Sequence, residues 1–128
     1  SELIILKNSE KQVSWIGFPE EEHLRNLYAE SAALLYVSKY EGFGMPLLEA
    51  MSKGCIPIGG YHSSIPEVLY EAGIKVNCDS ASELSEAMKE CLVEDSKTQN
   101  LVKRGYDRAS FFTWEKSAKL HMKFYSNL

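Results

Sequence analysis

Ala33-Leu34-Leu35-Tyr36-Val37, followed closely by Glu41-Gly42-Phe43-Gly44-Met45-Pro46-Leu47-Leu48-Glu49, decides the fold of this chain. The first five residues form a short continuous apolar run, as expected of a strand covered on both faces of a parallel sheet. The second part reads as a glycine loop that opens a helix. Gly42 and Gly44 permit close backbone approach and conformations closed to other residues, and Pro46 suits the first helical position. Strand, glycine loop and helix in that order put the loop at the carboxyl edge of the sheet, where open α/β folds bind their ligands.

The chemistry of the loop narrows the ligand. The N–H groups ahead of Pro46 are free donors, and a helix start with free donors suits an anion, most often phosphate. Glu41 and Glu49 cannot hold phosphate, but carboxylates accept well from hydroxyls. A ligand that suits the whole segment carries both groups, as a nucleotide sugar does. Two glutamates with seven residues between them mean nothing alone; the intervening Gly-Phe-Gly and Pro, and the strand before them, give the spacing its weight.

Working outward, the same alternation continues. Val13 to Gly17 is β-rich and ends in Gly17-Phe18-Pro19, after which Glu20, Glu21 and Glu22 place negative charge at a helix start, with Leu24, Leu27 and Tyr28 as its buried stripe. Beyond the motif, Gly54 closes the helix, Ile56-Pro57-Ile58 makes a strand ended by Gly59-Gly60, and Pro66 opens a helix that Gly73 stops. Ile74-Lys75-Val76 is the fourth and last expected strand. Ser80-Ala81-Ser82-Glu83 reads as a capping box ahead of a helix carrying Leu84, Ala87, Met88, Cys91 and Leu92. A helix from about Lys97 to Ser110 follows. The last begins after Thr113 as N-cap and turns Trp114, Ala118, His121 and Phe124 or Tyr125 inward; Trp114, Phe124 and Tyr125 are read as core or, if exposed, as a face that lies against the rest of a longer chain. Strands alternating with helices imply a Rossmann-like, doubly wound parallel sheet in one α/β domain over residues 1–128, with no internal repeat or linker.

Composition excludes several classes of function. The 128 residues are 45% hydrophobic and 25% charged, ordinary for one globular domain. Fourteen basic against eighteen acidic side chains give a net charge of -4, and without a basic stripe nucleic acid is not an expected partner. Cys55, Cys78 and Cys91 are odd in number and lack CxxC spacing, which favours neither a disulfide framework nor a zinc site and fits a reducing cytoplasm. No apolar run approaches the roughly 18 residues needed to cross a bilayer, so membrane contact would be peripheral. No Asp-x-Asp occurs and no His pair has ligand spacing, so neither a metal nor another cofactor is expected.

The pattern around Glu41 and Glu49 resembles the signature of retaining GT-B glycosyltransferases of the group 1, or family four, type. The resemblance runs on through Val13-Ser14-Trp15-Ile16-Gly17-Phe18, Leu27-Tyr28 with Ala32-Ala33, Lys53-Gly54-Cys55-Ile56-Pro57-Ile58, Ile65-Pro66-Glu67-Val68 and Phe112-Thr113-Trp114-Glu115. It implies the larger part of the C-terminal, nucleotide-sugar-binding domain of such an enzyme. The opening strand and helix, whose Arg and Lys meet the donor diphosphate, are missing from this sequence, as is the N-terminal acceptor-binding domain. An isolated piece is then expected to be inactive and to show apolar surface where the missing strand and helix belong.

The resemblance also implies roles. Glu41 becomes the catalytic residue, contacting hydroxyls of the donor sugar, and Glu49 grips the ribose diol. Gly42, Phe43, Gly44 and Met45 act through backbone amides toward sugar and phosphate, while Gly17, Phe18 and Ser38 complete the donor site, the first two bordering the base. The two glutamates then meet different parts of a long donor, which argues against the acid and base pair of a glycoside hydrolase. The expected reaction moves a hexose from a nucleoside diphosphate to a glycan or lipid acceptor, in the cytoplasm or peripherally at the inner face of the membrane. The alternative is a non-catalytic nucleotide-binding or assembly module, or one subunit of a split transferase. Ser63-Ser64 stands where family members commonly carry a glycine pair, and His62 beside it could meet the ligand. Lys39 is read as solvated rather than as a diphosphate ligand.

Overall fold

The computed structural model of the chain describes residues 13–128. Its elements are α1 (Glu21–Glu30), β1 (Ala33–Tyr36), α2 (Met45–Met51), β2 (Ile56–Gly59), α3 (Ile65–Leu69), β3 (Ile74–Lys75), α4 (Ala81–Cys91), α5 (Ser96–Phe111) and α6 (Trp114–Ser126). The apolar run Leu3-Ile4-Ile5-Leu6, which by sequence reads as a remnant strand or a helix end, lies outside the described residues.

The sheet is parallel, in the order β1-β2-β3, with Ala33 opposite Ile56 and Ile58 opposite Ile74. Because side chains alternate along a strand, this register sorts the core into two faces. Leu34 and Tyr36 join the cluster of Leu47, Met51, Ile65 and Leu69 beneath α2 and α3. Ala33, Ile56, Ile58 and Ile74 join Val76, Ala87 and Cys91 beneath α4. Two crossovers that step the same way across a sheet put their helices on one face when both are right-handed, as α2 and α3 are placed. Helices on both faces make the sheet doubly wound.

Pro57 lies in the central strand, a position where a missing N–H ordinarily breaks the ladder. Parity removes the conflict. The Ile56 N–H bonds Ala32 O on the β1 side, and Gly59 O accepts from Val76 N–H on the other. Pro57 therefore faces the third strand's side, level with Gly73 and ahead of β3. There the chain comes so close that a Cβ at Gly73 would stand 2.5 Å from Pro57 O.

Several expectations need correction. Among the described residues the sheet has three strands rather than four: Val13 to Gly17 is unpaired, with Trp15 and Phe18 exposed. A strand exists only by its neighbour, and none of the described segments lies beside this one. β1 is half-exposed rather than covered, since it pairs on one side only, and Leu35 is 40% exposed. The last helix buries none of its residues, so Trp114, Phe124 and Tyr125 are surface aromatics, and Trp114 is 81% exposed. Pro46 stands one place inside α2, whose first residue is Met45.

The helix ends show why the other boundaries hold. Thr113 caps α6 by accepting from Lys116 N–H at 3.1 Å. Ser80 caps α4, but Glu83 reaches past the cap to the Asn77 N–H at 2.8 Å, so the expected reciprocal box is half formed. The complete box is at α5, where Asp95 and Thr98 bond each other's backbone N–H. α3 ends at Tyr70, which takes the positive φ of 48° well before Gly73. Its open carbonyls are met from elsewhere: Arg108 donates to Glu67 O and Val68 O, and Lys75 Nζ to Tyr70 O.

Candidate donor site

Every strand of a parallel sheet ends at the same edge, so the loops after β1, β2 and β3 meet there. Three contacts knit them. Ser63 and Ser64 of the second loop bond the backbone of Glu41 and Phe43 in the first. Lys39 of the first loop pairs with Asp79 of the third at 2.8 Å. The Cys78 sulfur of the third lies so close to Gly60 of the second that a Cβ there would sit 2.6 Å from it.

Within this edge the first loop is bent by Gly44, buried at φ 100° and ψ 48°, a left-handed conformation that glycine adopts without strain. The buried Leu47 and the half-buried Tyr36 pack beneath it, Leu47 Cδ1 within 3.0 Å of where a Cβ would stand. Gly42 is open, with nothing within 4 Å of a Cβ placed there. Among the described residues, none of the backbone N–H groups from Gly42 to Met45 has an acceptor. Phe43 does more than present its backbone: its ring packs edge-on against Phe112 at the end of α5, centroids 5.5 Å apart.

Both glutamates stand beside a phenol that the sequence reading left out. Tyr28 of α1 reaches Glu49 Oε2 at 3.4 Å, and its pKa is raised first by burial and then by the Glu49 charge. Tyr36 at the end of β1 is pushed up to about 12, first by burial and then by the neighbouring Glu41 carboxylate. An aromatic in a strand or a helical stripe reads as core, and only the fold brings these two phenols near the motif's acids.

The remaining residues are placed as follows. Ser38 bonds Tyr40 O at 3.1 Å, tightening the start of the loop. Gly17 has a φ of 72° and Phe18 is wholly exposed, neither packed into the motif. Lys39 stays solvent-exposed and pairs there with Asp79; each raises the other's preference for its charged form. Among the described residues no cluster of three His, Cys, Asp or Glu side chains could hold a metal ion. A cleft of about 390 Å³ opens at the other end of the sheet, lined by Ala32, Ile56, Cys91, Thr98 and Val102 among others. It contains none of the motif's residues, and the glycine loop, not this cleft, carries groups suited to a donor.

The sequence pattern of the glycosyl transferases group 1 family matches residues 1–108. The chain belongs to this family. As a group 1 glycosyltransferase chain it has the GT-B type of α/β domain that the motif led one to expect. It is 35% identical over 103 residues to the O-antigen chain mannosyltransferase B of Escherichia coli, covering 80% of this chain and 27% of that protein. It is 26% identical over 116 residues to the GDP-mannose:cellobiosyl-diphosphopolyprenol alpha-mannosyltransferase of Komagataeibacter xylinus, covering 88% of this chain and 30% of that one. Among solved structures it is similar to the sucrose-phosphate synthase of Thermosynechococcus elongatus, with a TM-score of 0.77 and 26% identity, over 99% of this chain and 34% of that one. The chain spans about a third or less of each of these proteins. Among its described residues no helix is long and apolar enough to cross a membrane.

Proposed function

We propose that the carboxyl edge of this sheet is the donor-binding half of a retaining hexosyltransferase site, taking a nucleoside diphosphate sugar. The observation that carries this reading is the run of unpartnered amides from Gly42 to Met45, with Glu41 at one end and Glu49 in the helix beyond. Amides can follow negative charge as it builds on the departing diphosphate, and carboxylates fix the hydroxyls of sugar and ribose. The diphosphate is already a good leaving group, so the chemistry asked of this edge is positioning and charge stabilisation, with no protonated leaving oxygen between the two acids. Glu41 is assigned to the sugar and Glu49 to the ribose.

Both relatives reported above are named as mannosyltransferases, and one of those names specifies GDP-mannose. GDP-mannose is therefore the donor to try first, with UDP-glucose and ADP-glucose beside it. The acceptor, a glycan or a lipid-linked glycan, is assigned to a further domain.

Calorimetry with the three nucleotide sugars tests the reading. Glu49→Ala should weaken the bare nucleoside diphosphate and the sugar nucleotide alike, whereas Glu41→Ala should weaken the sugar nucleotide alone. Binding that ignores both substitutions removes the site assignment. No binding by the wild-type chain at millimolar ligand turns the reading toward an assembly module.

A further inference from the structure

Ser63 and Ser64 both reach back to the first loop, and Ser63 does so from a backbone position that ordinarily calls for glycine. Ser63 stands at φ 58°, in the left-handed region that disfavours residues with a Cβ. Its hydroxyl donates to Glu41 O at 2.5 Å and accepts the Glu41 N–H at 3.3 Å. The Ser64 hydroxyl lies 2.9 Å from Phe43 O and 3.1 Å from Glu41 O. Each hydroxyl has one hydrogen to give. The Ser63 hydrogen therefore goes to Glu41 O, and that of Ser64 to Phe43 O with Glu41 O as a second, weaker acceptor.

Those two carbonyls fix two peptide planes. Among the described residues no peptide bond is cis, and in a trans peptide the carbonyl of one residue and the N–H of the next point in opposite directions. Holding Glu41 O toward the serines turns the Gly42 N–H away from them, and holding Phe43 O does the same for Gly44. Gly42 and Gly44 are two of the loop residues whose N–H groups have no acceptor among the described residues.

We propose that Ser63 and Ser64 are positioning residues of the donor site, aiming the Gly42 and Gly44 amides and anchoring the backbone of Glu41 through the carbonyls they hold. The claim rests on the donor reading above and adds to it the part that sets the geometry. A glycine pair at these positions would permit the same backbone course with no side-chain donors to hold it. The serine pair replaces that freedom with fixed hydrogen bonds across 22 and 21 residues of sequence. The expected consequence is selectivity for the sugar-bearing ligand, since the aimed groups lie next to Glu41.

The test uses the double variant Ser63→Gly/Ser64→Ala, in which glycine keeps the left-handed backbone and both hydroxyls are gone. Its affinity for GDP-mannose should fall about tenfold, the scale of one to two lost hydrogen bonds, and that for GDP, which meets the aimed amides but not Glu41, should fall less. Ser64→Thr, which keeps a hydroxyl, should bind like the wild type. Equal losses for GDP and GDP-mannose, or none, overturn the proposal. Residual dipolar couplings of the Gly42 and Gly44 N–H bonds in labelled protein supply a ligand-free arm. They should be averaged toward zero in the double variant while those of α2 persist, and unchanged couplings overturn the proposal whatever binds. Averaged couplings with no binding of any nucleotide sugar to the wild-type chain would instead remove the donor reading and leave the peptide orientation standing.

Discussion

The Tyr28 hydroxyl donates to Glu49 Oε2 at 3.4 Å, so the helix before β1 holds the acid on the helix after it. The contact is long for a hydroxyl donor, and neither side chain is fully buried. Its value to folding is therefore small, and its effect is to bias where the Glu49 carboxylate points.

Tyr28→Phe should cost less than about 1 kcal/mol of stability, the ordinary upper range for one exposed neutral donor. GDP affinity should nonetheless fall several-fold, because Glu49 loses the group that orients it. On a Glu49→Ala background the same substitution should change GDP affinity little. Urea unfolding and calorimetry on the four proteins of this cycle check both statements.

Tyr36 gives a pH dependence whose sign can be worked out. Its pKa rises from 10.0 to about 12 in the folded chain, first through burial and then through Glu41. Between those values the unfolded chain has released the phenolic proton and the folded chain has kept it, so stability falls as pH rises. The contribution is complete below about pH 10 and is lost on approach to 12. Wild type should lose stability faster than Tyr36→Phe over this window, as measured by urea unfolding at successive pH values. Parallel curves would show that Tyr36 feels neither its burial nor Glu41.

Two glycines separate structural from ligand-directed roles. Gly73→Ala puts a Cβ 2.5 Å from Pro57 O and 2.7 Å from Leu69 Cδ2, with backbone as the first obstacle. A cost of roughly 2–3 kcal/mol is expected from forced overpacking. Gly42→Ala meets nothing within 4 Å, and its φ is not positive, so stability should move by no more than about 0.5 kcal/mol. Binding of GDP-mannose should still weaken, because the methyl group enters the space assigned to the donor. Thermal unfolding paired with calorimetry distinguishes the two variants.

The thiols are a fourth probe. Burial drives both Cys55 and Cys91 from 9.0 up to about 11, and a thiol in that range has little reactive thiolate at neutral pH. Cys78 is half-buried at the ligand edge. Iodoacetamide at pH 8 should modify Cys78 first and reach the other two only on unfolding, and peptide mapping after timed quenches reads the order. Early modification of Cys91 would contradict the packing beneath α4.

What was legible in the sequence follows from range. The β1 run, the glycine loop and the helix after it are set by residues within a few positions of one another, and the structure keeps their order and type. Thr113 as a cap was readable for the same reason. Asp95 with Thr98 was equally local, a capping pair overlooked because its second member is Thr where Glu or Gln is the usual sign. Val13 to Gly17 has the composition of a strand, but composition cannot supply the neighbour that a strand needs. Ser63 and Ser64 read as a departure from a glycine pair, because their acceptors lie on a loop more than 20 residues earlier. Tyr28 and Tyr36 were hidden similarly, since hydrophobic period assigns an aromatic to the core without saying where its hydroxyl emerges.

Arg108 ties the far end of α3 to the aromatic packing behind the loop. Its guanidinium donates to Val68 O at 3.1 Å and to Glu67 O, and lies over the Phe112 ring with 4.6 Å to the centroid. Phe112 in turn meets Phe43, and α3 begins just after Ser64. Arg108→Lys keeps the charge but loses the planar fork that meets two carbonyls and stacks on an aromatic face. A loss of about 1–3 kcal/mol is expected from the charge-assisted bonds alone. The donor edge should loosen as well, because α3 carries the two serines at its start and the Phe112 ring supports Phe43. Hydrogen exchange should therefore quicken in α3 and at the α5 terminus before it changes in α4, whose core lies on the other face of the sheet. Uniform quickening in all three helices would mean that Arg108 stabilises the domain as a whole without any special tie to the glycine loop.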